Sequence, residues 1–273
     1  MNIRKCIVIT GSTKGIGYAL ANAFLELDQN VIISGRNRET LLQVLNELEI
    51  KFPNQVFGIC CDIANPSEIE KLYSFAEEKF HQVDVWINNA GTCTAAKSIK
   101  DISCNEIITT IETNIIGTAL SSHIALKRMY AQNSGQIYNL EGWGSRGEWS
   151  AGMSIYGTTK YSISYLSKAL YKETKSTPII IGTLNPGMVA TDLLISSWKN
   201  GDIENWNRMK WLFSFIIDPP ALASKYLAKK ILANKKSNVR FVWMTPLRLL
   251  FRFFNPHYWK RDILNGTALK NLK

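Results

Sequence analysis

The stretch Thr10–Gly17 reads TGSTKGIG, follows the short apolar run Cys6–Thr10, and leads into a helix-like pattern of apolar residues. Glycine occupies three of its eight positions, which lets the backbone turn sharply and approach a pyrophosphate closely. A helix that begins here points its N–H groups and its positive dipole end at the phosphates. The stretch therefore predicts the dinucleotide-binding turn of a strand–helix–strand unit. The predicted cofactor-binding residues in it are Gly11, Ser12, Thr13, Lys14, Gly15, Ile16 and Gly17.

Strand-like runs and helix-length amphipathic patterns alternate along the rest of the chain. The predicted strands are Cys6–Thr10, Val31–Ser34, Val56–Cys61, Val85–Asn88, Gln136–Leu140, Ile179–Leu184 and Val239–Met244. The predicted helices are Ile16–Leu27, Glu39–Ile50, Ser67–Phe80, Asn105–Ala131, Ser154–Thr174 and Pro220–Ala233. Strands that are apolar on both faces and are separated by helices predict a parallel sheet covered on both sides. We expect an α/β fold of the Rossmann type, with a doubly wound sheet of seven parallel strands.

The alternation is interrupted at about residues 191–219, where we predict a lid of helix and loop inserted after the sixth strand. We expect residues 1–245 to form one cofactor-binding domain that includes this lid, and residues 246–273 to form a basic, aromatic C-terminal extension. The chain has 273 residues, of which 46% are hydrophobic, as is typical of a globular domain with a sizeable core.

Composition argues against several other classes of protein. No run approaches the roughly 18 uninterrupted apolar residues of a spanning helix, and the first apolar run is too short for the core of a signal peptide. The five cysteines show neither metal-ligand spacing nor a secreted disulfide framework. We therefore predict no metal site and a reducing compartment.

The net charge of +10 lies almost entirely near the C-terminus. Residues 225–273 hold twelve Lys or Arg and one acid. In the stretch PLRLLFRFFNPHYWKR, cations are interspersed with aromatic residues and leucines. This pattern favours an anionic membrane surface over nucleic acid as the partner. An apolar stripe at helical spacing, with cations beside it that would meet head groups, predicts peripheral membrane binding; core packing or a solvated tail are the alternatives. The stripe is Leu247, Leu250, Phe251 and Phe254, and the cations are Arg248, Arg252, Lys260 and Arg261.

Five motifs follow one another in a fixed order. TGSTKGIG is followed by NNAG at Asn88–Gly91, by Asn114 in TNIIG, by YGTTK at Tyr156–Lys160 and by PGMVAT at Pro186–Thr191. In this order they resemble the short-chain dehydrogenase/reductase family over about residues 1–192. The resemblance implies a nicotinamide dinucleotide cofactor and an oligomer formed by copies of the chain. The further cofactor contacts that it implies are Asp62, Ile63, Asn89, Ala90, Gly91, Tyr156, Lys160, Pro186, Gly187, Val189 and Thr191.

The cofactor is predicted to be NADPH. An acid at the end of the second strand would bind the ribose hydroxyls and repel a 2′-phosphate, but the chain has Ser34–Asn37, without an acid, at this point. Arg36 in this segment can form charge-assisted bonds to the phosphate, and Lys14 adds a second positive charge.

Tyr156 and Lys160 are four residues apart and hence lie on one face of a helix. A nearby ammonium should favour the phenolate and lower the pKa of the tyrosine toward the working pH. By the resemblance, Tyr156 gives a proton to the carbonyl oxygen of the substrate, Lys160 also holds the nicotinamide ribose, and Asn114 anchors a water in the proton relay.

The family's catalytic serine has no obvious counterpart. Alignment on Asn139 puts Glu141 and Gly142 at its place, and alignment on Tyr156 puts Trp143 there. Ser145 is the nearest hydroxyl downstream, and a loop bent by glycines could carry it to the substrate oxygen. We predict Ser145 as the replacement; loss of the serine role is the alternative.

The pattern NLEGxGSxG, followed by YGTTK and NPGMVATDLL, is similar to the chlorophyll b reductase branch of the family. That resemblance implies reduction of a ring formyl group to hydroxymethyl. A lipid carbonyl reductase (3-oxoacyl, sterol or retinoid type) and a non-catalytic NADP(H)-binding regulator are the alternatives. We expect a cytoplasmic protein or one peripheral on the cytoplasmic side of a membrane, the thylakoid in a photosynthetic host. Tryptophans predicted to flank the site of a flat substrate are Trp143, Trp149, Trp198, Trp206 and Trp211.

Overall fold

The computed structural model describes residues 4–199, 215–255, 258 and 261. Seven strands form one parallel sheet in the order β3-β2-β1-β4-β5-β6-β7, which confirms the predicted fold. The strands are β1 Cys6–Ile9, β2 Asn30–Gly35, β3 Val56–Cys60, β4 Val85–Asn88, β5 Gln136–Leu140, β6 Ile180–Asn185 and β7 Val239–Val242. The chain order reverses between β1 and β4, the point where doubly wound sheets bind ligands.

Helices cover both faces of the sheet. They are α1 Gly15–Glu26, α2 Arg38–Lys51, α3 Pro66–Phe80, α4 Cys104–Ile111, α5 Thr118–Gln132, α6 Ser154–Glu173, α7 Asp192–Lys199, α8 Pro220–Ala233 and α9 Pro246–Phe253. On one face α1, α2 and α8 pack over a buried apolar cluster that includes Ile7 and Ile9. On the other face α3, α5 and α6 pack over a cluster that includes Val8 and Trp86. Burying a side chain of this size stabilises the folded protein by about 1.5–3 kcal/mol relative to leaving it exposed.

The long helix predicted at Asn105–Ala131 is interrupted. A capping box formed by Ser103 and Glu106 begins α4, and a π-helical segment at Glu112–Gly117 separates α4 from α5. The backbone of Gly117 lies so close to Ile63 that a Cβ atom would come within 2.7 Å of that side chain. π-Helical turns often mark functional sites, and this one contains Asn114.

The segment after β6 was predicted to form a lid at about residues 191–219. The structure places α7 at its start, and Phe215 and Ile216 have helical backbone near its end. The remainder of the predicted lid, residues 200–214, lies outside the described residues.

Candidate active site

A cavity of about 1900 Å³ opens at the carboxyl ends of the strands. It is lined by the glycine turn, the segments that follow β2, β3, β4, β5 and β6, and the start of α6. The structure brings to this cavity all of the predicted site residues except Ser12, Asn114 and Ser145.

The glycine turn has the backbone geometry that its sequence requires. Gly11 and Gly15 have φ angles of +61° and +58°, which favour glycine. A Cβ atom at Gly11 would lie 2.8 Å from the Cα atom of Ala90. The side-chain amide of Asn89 donates hydrogen bonds to the carbonyls of Thr10 and Gly11 at 2.8 and 2.9 Å. The end of β4 therefore fixes the turn, and the turn leaves backbone surface open for a pyrophosphate.

Ser12 lies beneath this turn. It is fully buried, donates a hydrogen bond to the carbonyl of Ile9 at 2.7 Å, and accepts one from the backbone N–H of Ser34 at 2.9 Å. Its hydroxyl therefore joins the turn to β1 and β2, and the structure does not place it at the cavity surface.

Two cations line the cavity at the end where we expect the adenosine of a dinucleotide. The guanidinium of Arg36 is 4.0 Å from the carboxylate of Asp62, and the ammonium of Lys14 is 4.0 Å from that of Asp192. The side chains of Arg36 and Lys14 are 59% and 71% exposed, so these pairs contribute little and leave donors free. These groups fit a 2′-phosphate, and the glycine turn fits the pyrophosphate of the same cofactor.

Lys160 lies one turn after Tyr156 on α6. Its Nζ atom is 5.8 Å from the centre of the Tyr156 ring and donates a hydrogen bond to the carbonyl of Leu140 at 3.2 Å. The side chain is buried, and burial lowers the pKa of Lys160 to about 8.

The expected lowering of the tyrosine pKa is wrong for this structure. Burial raises the pKa of Tyr156 above its ordinary value, and the electrostatic interaction with the nearby Cys93 sulfur acts in the same direction. Desolvation of a phenolate therefore outweighs the nearby ammonium. The phenol keeps its proton, which is the form that can donate to a carbonyl oxygen.

Asn114 lies behind the cavity and joins two elements of the site. Its side-chain amide donates to the carbonyl of Thr92 at 2.8 Å and to the hydroxyl of Thr159 at 3.0 Å. Its side-chain oxygen accepts from the backbone N–H of Thr92 at 2.8 Å. The hydroxyl of Thr159 in turn donates to the carbonyl of Tyr156 at 2.8 Å. Asn114 thus connects the segment after β4 with the helix that carries Tyr156 and Lys160.

Gly142 occupies the space beside the phenol of Tyr156. A Cβ atom at Gly142 would lie 2.5 Å from the phenolic oxygen and 3.2 Å from Cγ of Lys160. The present arrangement therefore has no room for a serine side chain at this position. The adjacent Glu141 is buried, and its Oε2 atom accepts hydrogen bonds from Nε of Arg240 at 2.7 Å and from Nδ2 of Asn185 at 3.2 Å.

Ser145 lies behind the loop that follows β5. Its hydroxyl oxygen accepts a hydrogen bond from the backbone N–H of Gly142 at 3.0 Å, and its own N–H donates to the carbonyl of Gly142 at 3.2 Å. The residue is 2% exposed and does not line the cavity. The structure therefore brings Tyr156 and Lys160 together but does not bring the Ser145 hydroxyl to them.

The Glu141–Arg240 pair was missed in the sequence. The two residues are 99 positions apart, so no local spacing joins them. The sequence does contain one indication of such a pair: Glu141 is an acid directly after the buried strand β5, and a buried charge needs a partner.

Only some of the predicted tryptophans can be placed relative to the cavity, and those that can differ in position. Trp143 is 47% exposed and lines the cavity, whereas Trp149 is 90% exposed and does not line it. The side chain of Trp198, together with Trp206 and Trp211, lies outside what the structure describes.

Helix α9 has the opposite orientation to the one expected for its cations. The guanidinium of Arg248 stacks 3.7 Å from the centre of the Trp243 ring, and the side chains of Arg252 and Arg261 are 3% and 11% exposed. The expectation that Arg252 and Arg261 meet head groups is therefore wrong, because the buried Asp218 binds both of them. Lys260, the fourth predicted cation, lies outside the described residues. The apolar stripe is exposed, so core packing is wrong as well: Leu247, Leu250, Phe251 and Phe254 are 63%, 55%, 68% and 73% exposed. Within the described residues no helix combines the length and hydropathy that a membrane span needs.

Known proteins resemble the chain over most of its length. The sequence pattern of the short chain dehydrogenase family matches residues 5–202. The chain is 33% identical over 261 residues to probable chlorophyll(ide) b reductase NYC1, chloroplastic, of Oryza sativa subsp. japonica, which covers 89% of the chain and 50% of the relative. It is 33% identical over 232 residues to chlorophyll(ide) b reductase NOL, chloroplastic, of Arabidopsis thaliana, which covers 83% of the chain and 65% of the relative. The chain thus spans about half and about two thirds of these two proteins.

A solved structure gives the same fold. The closed form of serine dehydrogenase complexed with NADP+ is 23% identical, has a TM-score of 0.76, and aligns over 89% of the chain and 95% of that protein.

Proposed function

We propose that the chain, which belongs to the short-chain dehydrogenase family, is an NADPH-dependent reductase of a large hydrophobic carbonyl compound. The leading substrate is a chlorophyll b-type pigment, whose ring formyl group would become hydroxymethyl. The observation that carries the proposal is that Tyr156 and Lys160 face the same cavity as the glycine turn and Arg36. The names of the rice and Arabidopsis relatives support the choice of pigment.

The residues at the cavity suit reduction of a C=O group. NADPH, when bound, supplies a hydride to the carbonyl carbon. Tyr156 gives its phenolic proton to the carbonyl oxygen, and the product is the CH–OH compound. Lys160 keeps a positive charge beside the phenolate that forms, because its pKa of about 8 leaves it protonated at neutral pH.

Gly142 in place of a serine makes Tyr156 the main donor to the carbonyl oxygen. A side chain at position 142 would collide with the phenol, and the Gly142 N–H is engaged by Ser145. The exposed ring of Trp143 at the cavity wall offers a surface on which a flat apolar substrate could stack.

The direct experiment is incubation with NADPH and chlorophyll b in detergent, followed by separation of the pigments. We expect a hydroxymethyl pigment to appear as NADPH is oxidised, and the Tyr156→Phe variant to form almost none. Parallel reactions with a long-chain 3-oxoacyl thioester and with retinaldehyde test the lipid alternative. Binding of NADPH without turnover of any carbonyl compound would instead favour the non-catalytic regulator.

We further propose that α9 binds an anionic membrane surface. Four large apolar side chains of its exposed stripe face outward. The exposed Lys230 of α8 lies beside α9: its Nζ is 5.6 Å from the ring centre of Tyr226, and the guanidinium of Arg248 on α9 is 5.3 Å from the same ring. An apolar face with cations beside it is typical of interfacial helices. A reductase of membrane pigments would meet its substrate there.

Vesicle binding tests this placement. We expect sedimentation with phosphatidylglycerol vesicles at low salt, less at high salt, and little with phosphatidylcholine alone. Phe251→Ser should weaken the binding, whereas Leu42→Ser, at a 52% exposed leucine of α2, should leave it unchanged. Wild-type protein that stays in the supernatant with anionic vesicles at low salt would exclude the membrane partner.

A second copy of the chain is the other proposed partner. Adjoining elements α4, the π-helical segment and α6 leave large apolar side chains exposed, and such patches often form interfaces between subunits. They are Ile108, Ile111, Ile116, Tyr161 and Tyr165. Light scattering on the purified protein should give at least a dimer, and Ile116→Lys should shift it toward the monomer.

A further inference from the structure

A buried acid, Asp218, connects the C-terminal segment with the rest of the domain. Its carboxylate is fully buried and accepts hydrogen bonds from Arg252, from Nη1 of Arg261 at 2.9 Å and from Nε1 of Trp243 at 2.7 Å. Burial would raise the pKa of Asp218, but the bonds from Arg252, Trp243 and Arg261 outweigh burial and lower the pKa. The carboxylate is therefore charged, and it holds two arginines that follow the last strand.

The same two arginines bind the backbone just before Asp218. Nη1 of Arg252 donates to the carbonyls of Phe215 at 3.4 Å and Ile216 at 3.2 Å. Nη2 of Arg261 donates to the carbonyls of Phe215 at 2.8 Å and Ile217 at 2.6 Å. A guanidinium can bind a carboxylate and carbonyls at once because its donors are held in a planar fork, which an ammonium lacks.

The backbone that the arginines hold is paired in turn with the loop after β6. Asp218 forms a parallel bridge with Val189, its N–H donates to the carbonyl of Met188 at 3.1 Å, and its carbonyl accepts from the N–H of Ala190 at 3.0 Å. Met188, Val189 and Ile216 all line the cavity. Contacts therefore run without a break from α9, through Asp218, to the cavity wall.

We infer that Arg252 is a positioning residue, which acts through Asp218 to hold the loop Met188–Ala190 and with it the nicotinamide end of the cavity. The inference rests on the proposed function for the identity of the cofactor. It makes the predicted C-terminal extension a support of the cavity wall, which it reaches through Asp218. The residues that would bind the adenosine end, Arg36 and Lys14, take no part in these contacts.

A binding experiment with two nucleotides distinguishes the two ends of the cavity. NADPH occupies both ends, whereas adenosine 2′,5′-bisphosphate carries only the adenosine part. We expect Arg252→Met to weaken NADPH binding about tenfold, the scale of one lost positioning contact, and to leave the bisphosphate unchanged. Arg4→Met is the matched control, because Arg4 is half exposed, pairs with Asp28 and does not line the cavity, and it should leave both affinities unchanged.

Arg252→Lys keeps the experiment informative if Arg252→Met fails to fold. It retains a charge for Asp218 but cannot bond the carboxylate and both carbonyls together, so a smaller loss, confined to NADPH, is expected. Folded Arg252 variants that bind NADPH like the wild type, or that lose both nucleotides equally, would overturn the inference. Wild-type protein that binds neither nucleotide would contradict the proposed cofactor instead.

Discussion

The two ends of the cavity are built from different kinds of contact. The nucleotide end is made mainly of backbone: Gly11 and Gly15 turn with positive φ, and Ala90 packs against Gly11 too closely for a side chain. The other end, where the nicotinamide and the substrate would meet, depends on side-chain pairs such as Glu141 with Arg240 and Asp218 with Arg252. The first end follows one sequence pattern. At the second end Tyr156 and Lys160 belong to a motif, but the buried ion pairs join residues that no pattern connects.

This difference shows which parts of a site can be predicted from the sequence. A positive φ or a close backbone approach strongly favours glycine, so such a position can be recognised in the sequence. A buried ion pair can be exchanged for a packed apolar pair, so its members need not recur in any motif. We therefore expect variants at the glycine turn and Arg36 to act on cofactor affinity, and variants at Tyr156 and Lys160 to act on turnover. Variants of the buried pair Asp218–Arg252 should act on NADPH affinity through the loop that the pair holds.

The largest effect should come from the reacting centre. Tyr156→Phe keeps the ring but removes the proton donor, so turnover should fall by roughly 10²–10⁴ while NADPH stays bound. Steady-state kinetics and NADPH fluorescence measure the two quantities. Tyr161→Phe, at a 58% exposed tyrosine of the same helix, is the control and should behave as the wild type. A Tyr156→Phe enzyme of ordinary activity would remove Tyr156 from the mechanism.

The next effect should appear at the adenosine end. Arg36→Asp removes and reverses a charge near the expected 2′-phosphate, so NADPH binding should weaken by about 2–4 kcal/mol, roughly 30- to 1,000-fold. Titration calorimetry with NADPH and NADH measures it, and NADH affinity should change far less. Arg38→Asp makes the same charge change at the exposed first residue of α2 and controls for general electrostatics. Equal affinity of the wild type for NADH and NADPH would contradict the assignment.

The pH dependence of the rate should report Lys160. Burial lowers the pKa of Lys160 to about 8, so the ammonium is present below this pH and is lost as pH rises through it. We expect kcat/KM, which reports groups of the free enzyme, to be flat below about pH 8 and to fall tenfold per pH unit above it. A profile without a fall between pH 7 and 10 would show that the charge on Lys160 is not needed.

The titration of Lys160 should also affect the free energy of unfolding, which should rise with pH over the range in which the rate falls. Lys160 titrates near pH 8 when folded and near 10.5 when unfolded, so the unfolded chain binds more protons between these values. Folding therefore becomes more favourable as pH rises from 8 toward 10.5, and the buried charge costs stability below pH 8. Lys160→Met should thus abolish turnover yet raise the free energy of unfolding at pH 7 by on the order of 1–3 kcal/mol, as measured by urea denaturation.

Much of the fold was predictable because its signals are periodic. The seven strands occur where apolar runs indicated them, with ends shifted by at most two residues. The interruption of the helix at Glu112–Gly117 was not predicted, because its residues continue the helical pattern and only the close contact between Gly117 and Ile63 distinguishes them. The spacing of α9 predicted a helix, but the sequence could not show which face is buried. Asp218, 34 positions away from Arg252, decides that.

The smallest effect should be at Ser145, where sequence and structure favour different outcomes. A hydroxyl that bonds the substrate oxygen would make Ser145→Ala cost on the order of 10²-fold in turnover. In the structure this hydroxyl accepts the N–H of Gly142 and lies behind the loop. Its loss should then leave the backbone N–H of Gly142 without this partner, at a cost of about 1–3 kcal/mol in stability, and lower turnover less than tenfold. Ser150→Ala, at a serine that does line the cavity, is the comparison and should change neither quantity as much. A hundredfold loss of turnover with unchanged stability would mean that the loop turns Ser145 toward the substrate, where it would act beside Tyr156 as a second catalytic hydroxyl.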